Sequence, residues 1–294
     1  MIAAVIKSMR PRQWTKNLLL FAGIIFTGNL NNFRMLKRTL AGFVIFCALS
    51  GVVYIINDIK DIESDRLHPR KKNRPIPSGR LPVSLAFLVV LVIGTLALAG
   101  AFLLNTAFGI TALAYVIIVI LYSLHLKNYV ILDLLLVALG FVIRAVAGVE
   151  AITVNGYVPE ITPWFIACTL FLALFIAICK RRHEITLLEE EAVNHRKVLS
   201  EYSPAFLDQM VSVTTSATII SYALWSTIGK YAEYNMIYSL PFVIYGIFRY
   251  LYLVYMKKKG GAPEVLLLKD RALQVAILLW LISIIALLYI KRPI

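Results

Sequence analysis

The feature that most constrains this chain is a series of apolar segments, each close to the length that crosses a lipid bilayer. A transmembrane α-helix needs about 20 mostly apolar residues. Nine segments of the 294-residue sequence approach that length, at residues 16–30, 39–56, 83–103, 107–124, 129–148, 163–180, 209–228, 236–256 and 272–290. Only 16% of the residues are charged, against about 25% in ordinary soluble domains. The composition therefore excludes a soluble globular protein of this size.

Backbone chemistry selects helices for these segments. A bilayer core offers no water to hydrogen-bond the backbone, so each span must satisfy its own polar groups. A β-barrel would need alternating segments of about ten residues, and the sequence lacks them. Thr162-Pro163 and Ser203-Pro204 place an N-cap residue before a proline at two predicted helix starts. We predict an all-α, polytopic membrane protein with a single integral-membrane domain over residues 1–294.

The net charge of +14 is unevenly distributed along the chain. Of the 30 basic residues, 22 fall in the N-terminal residues 1–16 and in the loops at 57–82, 125–128, 180–208 and 257–271. By the positive-inside rule these regions are cytoplasmic. Nine spans in the plasma membrane would then place the N-terminus inside and the C-terminus on the opposite side. Nucleic-acid binding is disfavoured, because no separate basic domain exists.

Acidic residues interrupt the most basic of these loops. Residues 57–65 read NDIKDIESD as the second span ends, an NDxxDxxxD pattern. On a helix Asn57, Asp61 and Asp65 follow i, i+4, i+8, and Asp58 lies three residues before Asp61, so all four share a face. Carboxylates at that spacing repel unless a cation lies between them, and hard oxygen ligands favour Mg²⁺. The alternative is a solvated acidic helix end.

Two arginines closely follow the acidic motif. Arg66 and Arg74 suit a phosphorylated ligand, because a guanidinium binds phosphate through two hydrogen bonds. The competing interpretation is that the basic residues here only orient the protein in the membrane. The acidic run at 189–191 is predicted to be a solvated helix face.

The motif and the nine spans resemble the UbiA superfamily of intramembrane prenyltransferases, in which NDxxDxxxD binds Mg²⁺ and a substrate diphosphate. The resemblance covers essentially the whole chain. It implies a nine-helix bundle with a cytoplasm-facing polar cavity, Asn57 as a metal ligand, and Asp58, Asp61 and Asp65 as metal ligands and catalytic residues.

The second aspartate motif of that superfamily, DxxxD, is altered in this chain. The corresponding residues 180–184 read KRRHE, so Lys180 replaces the first acid and only Glu184 remains, as a catalytic candidate. Three consecutive cations, Lys180, Arg181 and Arg182, offer contacts to phosphate instead. Together with segments 9–17, 122–127 and 264–271, this altered motif makes the chain similar to one branch of the superfamily, the decaprenyl-phosphate phosphoribosyltransferases.

The similarity to this branch implies a reaction. Its members transfer a 5-phosphoribosyl group from phosphoribosyl diphosphate to a polyprenyl phosphate and release pyrophosphate, with Mg²⁺ as the cofactor. Two alternatives stay open. One is an aromatic prenyltransferase of the same fold with a polyprenyl diphosphate donor, and the other is a non-enzymatic lipid transporter or binding protein.

Further candidate substrate contacts lie near predicted helix ends or inside a span. They are Lys16, Asn17, Tyr122, Lys127, Asp133, Arg144, Asp270 and Arg271. Each also has a structural interpretation. The long side chain of Lys16 could extend to the membrane interface, and Asp133 could pair with Lys127. Arg144 must face a polar cavity or the outer interface, and Asp270 could cap a helix.

Overall fold

The computed structural model describes residues 1–69, 71–154, 156–188, 199, 201–228 and 230–290, so the acidic run at 189–191 lies outside the described residues. Every regular element within these ranges is helical, which confirms the predicted all-α class. The α-helices are α1 (Ile2–Ser8), α2 (Phe21–Phe26), α3 (Phe33–Lys60), α4 (Ile62–Leu67), α5 (Val83–Leu104), α6 (Thr106–Leu124), α7 (Leu132–Ala151), α8 (Pro163–Leu188), α9 (Pro204–Thr227), α10 (Lys230–Glu233), α11 (Leu240–Tyr255), α12 (Pro263–Lys269) and α13 (Arg271–Tyr289). Short 3₁₀ helices cover Pro11–Leu20, Lys71–Asn73, Leu126–Asn128 and Met236–Ser239.

Within the described ranges, seven helices are long and apolar enough to cross a membrane. They are α3, α5, α6, α7, α8, α13 and the segment Met236–Tyr255. The predicted spans at 16–30 and 209–228 are not among them. The first is divided between a 3₁₀ helix and the short α2. The other, α9, has the length, but it carries hydroxyl side chains such as Thr214 and Thr218, which donate to carbonyls one turn earlier.

The two predicted N-caps are confirmed. The Thr162 hydroxyl accepts a hydrogen bond from the Phe165 N–H at 3.2 Å, and α8 begins at Pro163. The Ser203 hydroxyl accepts from the Phe206 N–H at 3.1 Å, before α9. Each cap satisfies a backbone donor that the first helical turn leaves without an internal partner.

Helix contacts divide the chain into two compact units. Unit 1 is Met1–Leu124 with Ile143–Pro159, and unit 2 is His125–Val142 with Glu160–Ile294. In unit 1 the 28-residue α3 packs along α5 and the 3₁₀ helix before α2. In unit 2 α8 packs along α9, and α11 along α13. The single domain over residues 1–294 stays a prediction.

A glycine pair lets two backbones of unit 1 touch. A Cβ atom on Gly148 of α7 would lie 2.1 Å from the Leu20 carbonyl oxygen, and one on Gly23 of α2 would lie 2.4 Å from the Gly148 carbonyl carbon. Small residues permit such close helix crossings in membrane proteins. The crossing joins the N-terminal segment to the second half of α7.

Replacing Gly148 by alanine should destabilise the protein by about 2 kcal/mol or more, since backbone cannot move aside as a side chain can. Thermal unfolding of the purified protein in detergent measures the loss. Gly246 of α11 is the matched control, because a Cβ atom there meets nothing within 4 Å. Gly246→Ala should be neutral or stabilising, and equal losses in the two variants would contradict the proposed backbone contact.

Candidate active site

The NDxxDxxxD motif lies where one helix gives way to the next. Asn57 and Asp58 belong to the last turn of α3, and Asp65 belongs to α4. Asp61 stands between these helices, although its N–H still donates to the Asn57 carbonyl and its carbonyl accepts from the Asp65 N–H. The motif therefore extends over two helices, and the one-turn backbone spacing is kept across the junction.

Two of the three motif aspartates converge on the same cation. Asp58 and Asp65 are 1% and 2% exposed, whereas Asp61 is half-buried. One guanidinium nitrogen of Arg74 lies 3.0 Å from an oxygen of Asp58 and 2.5 Å from an oxygen of Asp65. Arg10 also donates to Asp58, and Lys71 lies 3.6 Å from Asp65. Buried carboxylates need such partners, because an unpaired charge is costly away from water.

The donor set fits a divalent cation through two carboxylates rather than three. Within the described ranges, no group of three or more acidic, histidine or cysteine side chains converges on one point. Asp58 and Asp65 nevertheless face a common positive charge, and the Asn57 amide is one residue away. Mg²⁺ usually takes one or two carboxylates and completes its shell with water and substrate phosphate. The residues present therefore fit the predicted metal.

Arg66 organises the loop that carries Arg74. Its side chain donates to the Pro77 carbonyl at 3.2 Å, and the Leu81 N–H closes the same loop on Pro75. Ile76 and Leu81 anchor the loop in a small apolar core of unit 1. The loop that presents Arg74 is thus held by its own hydrogen bonds and by apolar burial.

The three cations of the KRRHE segment point in different directions and have different partners. The Lys180 side chain is 47% exposed, and its nitrogen lies 4.0 Å from Glu184. Arg181 is buried and donates to Asp133 and to Glu184. Arg182 pairs with Asp208. Consecutive helical residues are rotated by about 100°, so neighbouring side chains cannot share one face.

Asp133 lies in a buried polar cluster of unit 2. Its carboxylate accepts hydrogen bonds from Arg181 and, at 2.7 Å, from the Tyr202 hydroxyl. That hydroxyl also accepts from the N–H of Ile131, a residue with φ of 68°. Burial and the bond to Asp133 raise the pKa of Tyr202, so the hydroxyl stays protonated and can donate. The cluster fixes the start of α7 against α8.

Replacing Asp133 by asparagine should lower the free energy of unfolding by about 3 kcal/mol, because it leaves the buried Arg181 poorly compensated. Thermal unfolding in detergent is the measurement. Asp208→Asn is the control, since its pair with Arg182 is more exposed and should contribute about 1 kcal/mol or less. Lost activity at unchanged stability would instead favour the predicted substrate contact at Asp133.

Arg144 and Asn17 meet in the interior of unit 1. The Arg144 side chain donates to the Asn17 amide oxygen at 2.8 Å and to the Tyr115 hydroxyl at 2.7 Å. The Asn17 amide nitrogen in turn lies 3.3 Å from the Ser50 hydroxyl. Asn17 and Arg144 are both buried. Two of the predicted substrate contacts therefore belong to one polar network that joins α3, α6 and α7.

The remaining predicted contacts lie in short 3₁₀ helices or near the ends of α-helices. Lys16 lies in the first 3₁₀ helix, Tyr122 near the end of α6 and Lys127 in the 3₁₀ turn before α7. The alternative of a helix cap is confirmed for Asp270, which accepts from the Leu273 N–H at 2.9 Å before α13. The hydrogen bond from Arg249 holds the pKa of Asp270 below its usual value. Arg271 is the exposed first residue of α13.

Comparison with known proteins identifies the family. Residues 18–269 match the UbiA prenyltransferase family. The chain belongs to this family. A Corynebacterium glutamicum protein named decaprenyl-phosphate phosphoribosyltransferase is 33% identical over 97% of this chain and 87% of its own length. A Mycobacterium tuberculosis protein of the same name is 31% identical over 97% and 94%.

A solved structure shares the family fold. It is a UbiA homologue from Archaeoglobus fulgidus bound to DMAPP and Mg²⁺. It superimposes with a TM-score of 0.74 at 21% identity, and the match covers 97% of this chain and 98% of that one. The likeness supports the architecture of this membrane family for the present chain.

Sequence reasoning missed several residues that contact the predicted site. Arg10 and Lys71 were counted among the basic residues that orient the protein, yet both contact motif aspartates. Asp208 accepts a hydrogen bond from Arg182 of the KRRHE segment. The Tyr202 hydroxyl donates to Asp133, which is the partner of Arg181. No local sequence pattern marks Arg10, because it contacts Asp58 across 48 residues of the chain.

Proposed function

We propose that this protein transfers a 5-phosphoribosyl group from phosphoribosyl diphosphate to a polyprenyl phosphate of the decaprenyl type and releases pyrophosphate. One observation carries the proposal: an acidic diphosphate motif is present, while Lys180 stands where the superfamily's second motif has its first aspartate. A cation there suits a second phosphorylated substrate rather than a second metal site. The names of relatives at 31% and 33% identity support the same reaction.

The first motif would hold the donor diphosphate. Asp58 and Asp65 supply buried carboxylate oxygens, with Asn57 and Asp61 beside them. Mg²⁺, when bound there, would supply Lewis-acid stabilisation of the charge on departing pyrophosphate. Arg74 keeps positive charge beside the same carboxylates and can bind a phosphate oxygen with its remaining donors.

Residues outside the motif would hold the other phosphates and the sugar. Lys180 and Arg66 would bind the 5-phosphate and the lipid phosphate. Arg181 and Arg182, which are paired with carboxylates, would contact phosphate only through the donors that those pairs leave. Glu184 would accept hydrogen bonds from ribose hydroxyls. As the bond to pyrophosphate breaks, positive charge develops on C1 of the ribose, and an oxygen of the lipid phosphate attacks it. That oxygen is already anionic, so a strong general base is unnecessary.

The membrane setting forms part of the proposal. Nine spans in the plasma membrane would place the N-terminus, both motifs and a polar cavity on the cytoplasmic side, and the C-terminus on the other side. Phosphoribosyl diphosphate would then enter from the cytoplasm, while the polyprenyl tail stays in lipid. The charge distribution of the loops supports this orientation.

Incubation of the purified protein with labelled phosphoribosyl diphosphate, Mg²⁺ and a polyprenyl phosphate tests the proposal. Label should enter the lipid phase, and pyrophosphate should appear in equal amount. Transfer of a labelled prenyl group from a polyprenyl diphosphate to an aromatic acid would instead favour the aromatic prenyltransferase. Lipid binding without release of pyrophosphate would favour a non-enzymatic role.

A further inference from the structure

Arg10 occupies an unusual backbone conformation beside the acidic motif. Its φ of 54° and ψ of 66° lie in the left-handed region, which residues with a Cβ atom seldom adopt. Pro11 follows, and a residue before proline is disfavoured in the helical conformation. The chain therefore turns at Arg10, between α1 and the first 3₁₀ helix. Such strained residues persist where the surroundings hold them, often at functional sites.

The surroundings of Arg10 fix its guanidinium in place. Met9 packs so closely on α3 that a Cβ atom on Gly51 would lie 2.6 Å from its Cε atom. The Arg10 guanidinium stacks over the Tyr54 ring at 4.6 Å and donates to Asp58 one turn further along α3. The α1 junction is thus attached to the helix that carries the motif, with the Arg10 side chain 28% exposed beside it.

The number of cations around Asp58 is larger than a single ion pair requires. The same oxygen of Asp58 lies within reach of both Arg10 and Arg74. Asp58 and Asp65 together face three cations, since Lys71 also contacts Asp65. Three cations therefore contact two buried carboxylates, and Asp58 has two arginine partners where one would have neutralised it. Two guanidinium groups on one oxygen use its two lone pairs, which leaves the other Asp58 oxygen for a metal.

We propose that Arg10 is a diphosphate-binding residue, paired with Arg74 in a clamp that Asp58 orients. The ligand class is a diphosphate with its divalent cation. Arg10 is held by Tyr54 and Asp58, and its guanidinium has five N–H donors. The donors that do not face Asp58 can bind phosphate oxygens in pairs. The inference rests on the proposed function only in that the substrate carries a diphosphate.

Calorimetric titration of the full-length protein in detergent with pyrophosphate and Mg²⁺ tests the proposal. Arg10→Met should raise the Kd for pyrophosphate at least about tenfold, the effect of losing one charge-assisted hydrogen bond. Arg10→Lys should recover part of the affinity. The KM for phosphoribosyl diphosphate should rise in parallel, while the KM for polyprenyl phosphate should change less than about twofold.

Arg12→Met is the matched control, because Arg12 is an exposed arginine of the same segment. An unchanged Kd in folded Arg10→Met, or an equal rise in Arg12→Met, would overturn the proposal. If Arg10→Met does not fold, Arg10→Lys and Tyr54→Leu decide. Both should weaken pyrophosphate binding, and wild-type affinity in both would overturn the clamp.

The two proposals can fail separately. Arg10-dependent pyrophosphate binding in a protein that transfers prenyl groups would remove the proposed function and keep the clamp. Phosphoribosyl transfer in a protein whose pyrophosphate affinity does not depend on Arg10 would support the proposed function and overturn the clamp.

Discussion

Replacing Asp61 by alanine is expected to abolish phosphoribosyl transfer while the protein still folds and inserts. Asp61 stands at the α3–α4 junction between the two buried aspartates, and it is half-buried rather than part of the apolar core. Asp61 lies one helical turn from the two converging carboxylates, and it would bind the metal through one of the water molecules that Mg²⁺ usually keeps. Losing its charge weakens the stabilisation of the metal and of departing pyrophosphate, so turnover should fall at least about a hundredfold. The measurement is the initial rate with Mg²⁺ and both substrates.

Glu63→Ala is the matched control for Asp61→Ala. Glu63 is an exposed carboxylate two residues further along the chain and outside the motif pattern. The Glu63→Ala variant removes the same charge as Asp61→Ala but leaves the motif intact, so it should keep nearly full activity. Turnover like that of the wild type in Asp61→Ala would remove this residue from the metal site. Equal losses in both variants would indicate a general effect of negative charge at the junction.

Replacing Lys180 by aspartate should lower kcat/KM for phosphoribosyl transfer at least about tenfold, the loss of about 1.4 kcal/mol of phosphate contact. The Lys180 side chain is 47% exposed on α8, and Glu184 lies one turn further along the same helix. The substitution restores the acidic spacing of the superfamily's second motif. It also places a repelling charge where the lysine would contact phosphate.

Two further variants serve as controls for Lys180→Asp. Lys180→Met removes the cation without adding an acid, so it should lose less activity than Lys180→Asp. Lys37→Asp reverses the charge of an exposed lysine near the start of α3, far along that helix from the motif, and should be nearly silent. Intact transfer in Lys180→Asp would show that the altered motif does not select the phosphorylated substrate.

The sequence predicted well those structural features that depend on residues close together in the chain. Apolar segments of bilayer length predicted helices, and Thr162 and Ser203 predicted two helix starts that the structure confirms. The N-terminal span was predicted less well. It is a 3₁₀ helix followed by α2, and Leu20 and Gly23 there contact Gly148 of α7. A contact between residues so far apart in the chain leaves no local periodic signal.

The sequence predicted some features of the candidate site and missed others, for the same reason. The one-turn spacing of Asn57, Asp61 and Asp65 predicted helical geometry, and the hydrogen bonds among their backbones follow that spacing. The spacing did not indicate which carboxylates are buried, or that Arg74 bridges Asp58 and Asp65. Those partners come from a loop whose course depends on apolar burial and on its own hydrogen bonds.

The sequence by itself determined the helical class, the family and the position of an acidic motif at the end of a long apolar helix. These properties depend on hydropathy and on spacing within one or two turns, which a chain carries in any context. Only the tertiary structure decided how the charges are paired. Arg181 is buried against Asp133, Arg182 pairs with Asp208, and Lys180 is left the most exposed of the three. The physical reason is that a buried charge must have a partner, and distant parts of the chain supply it.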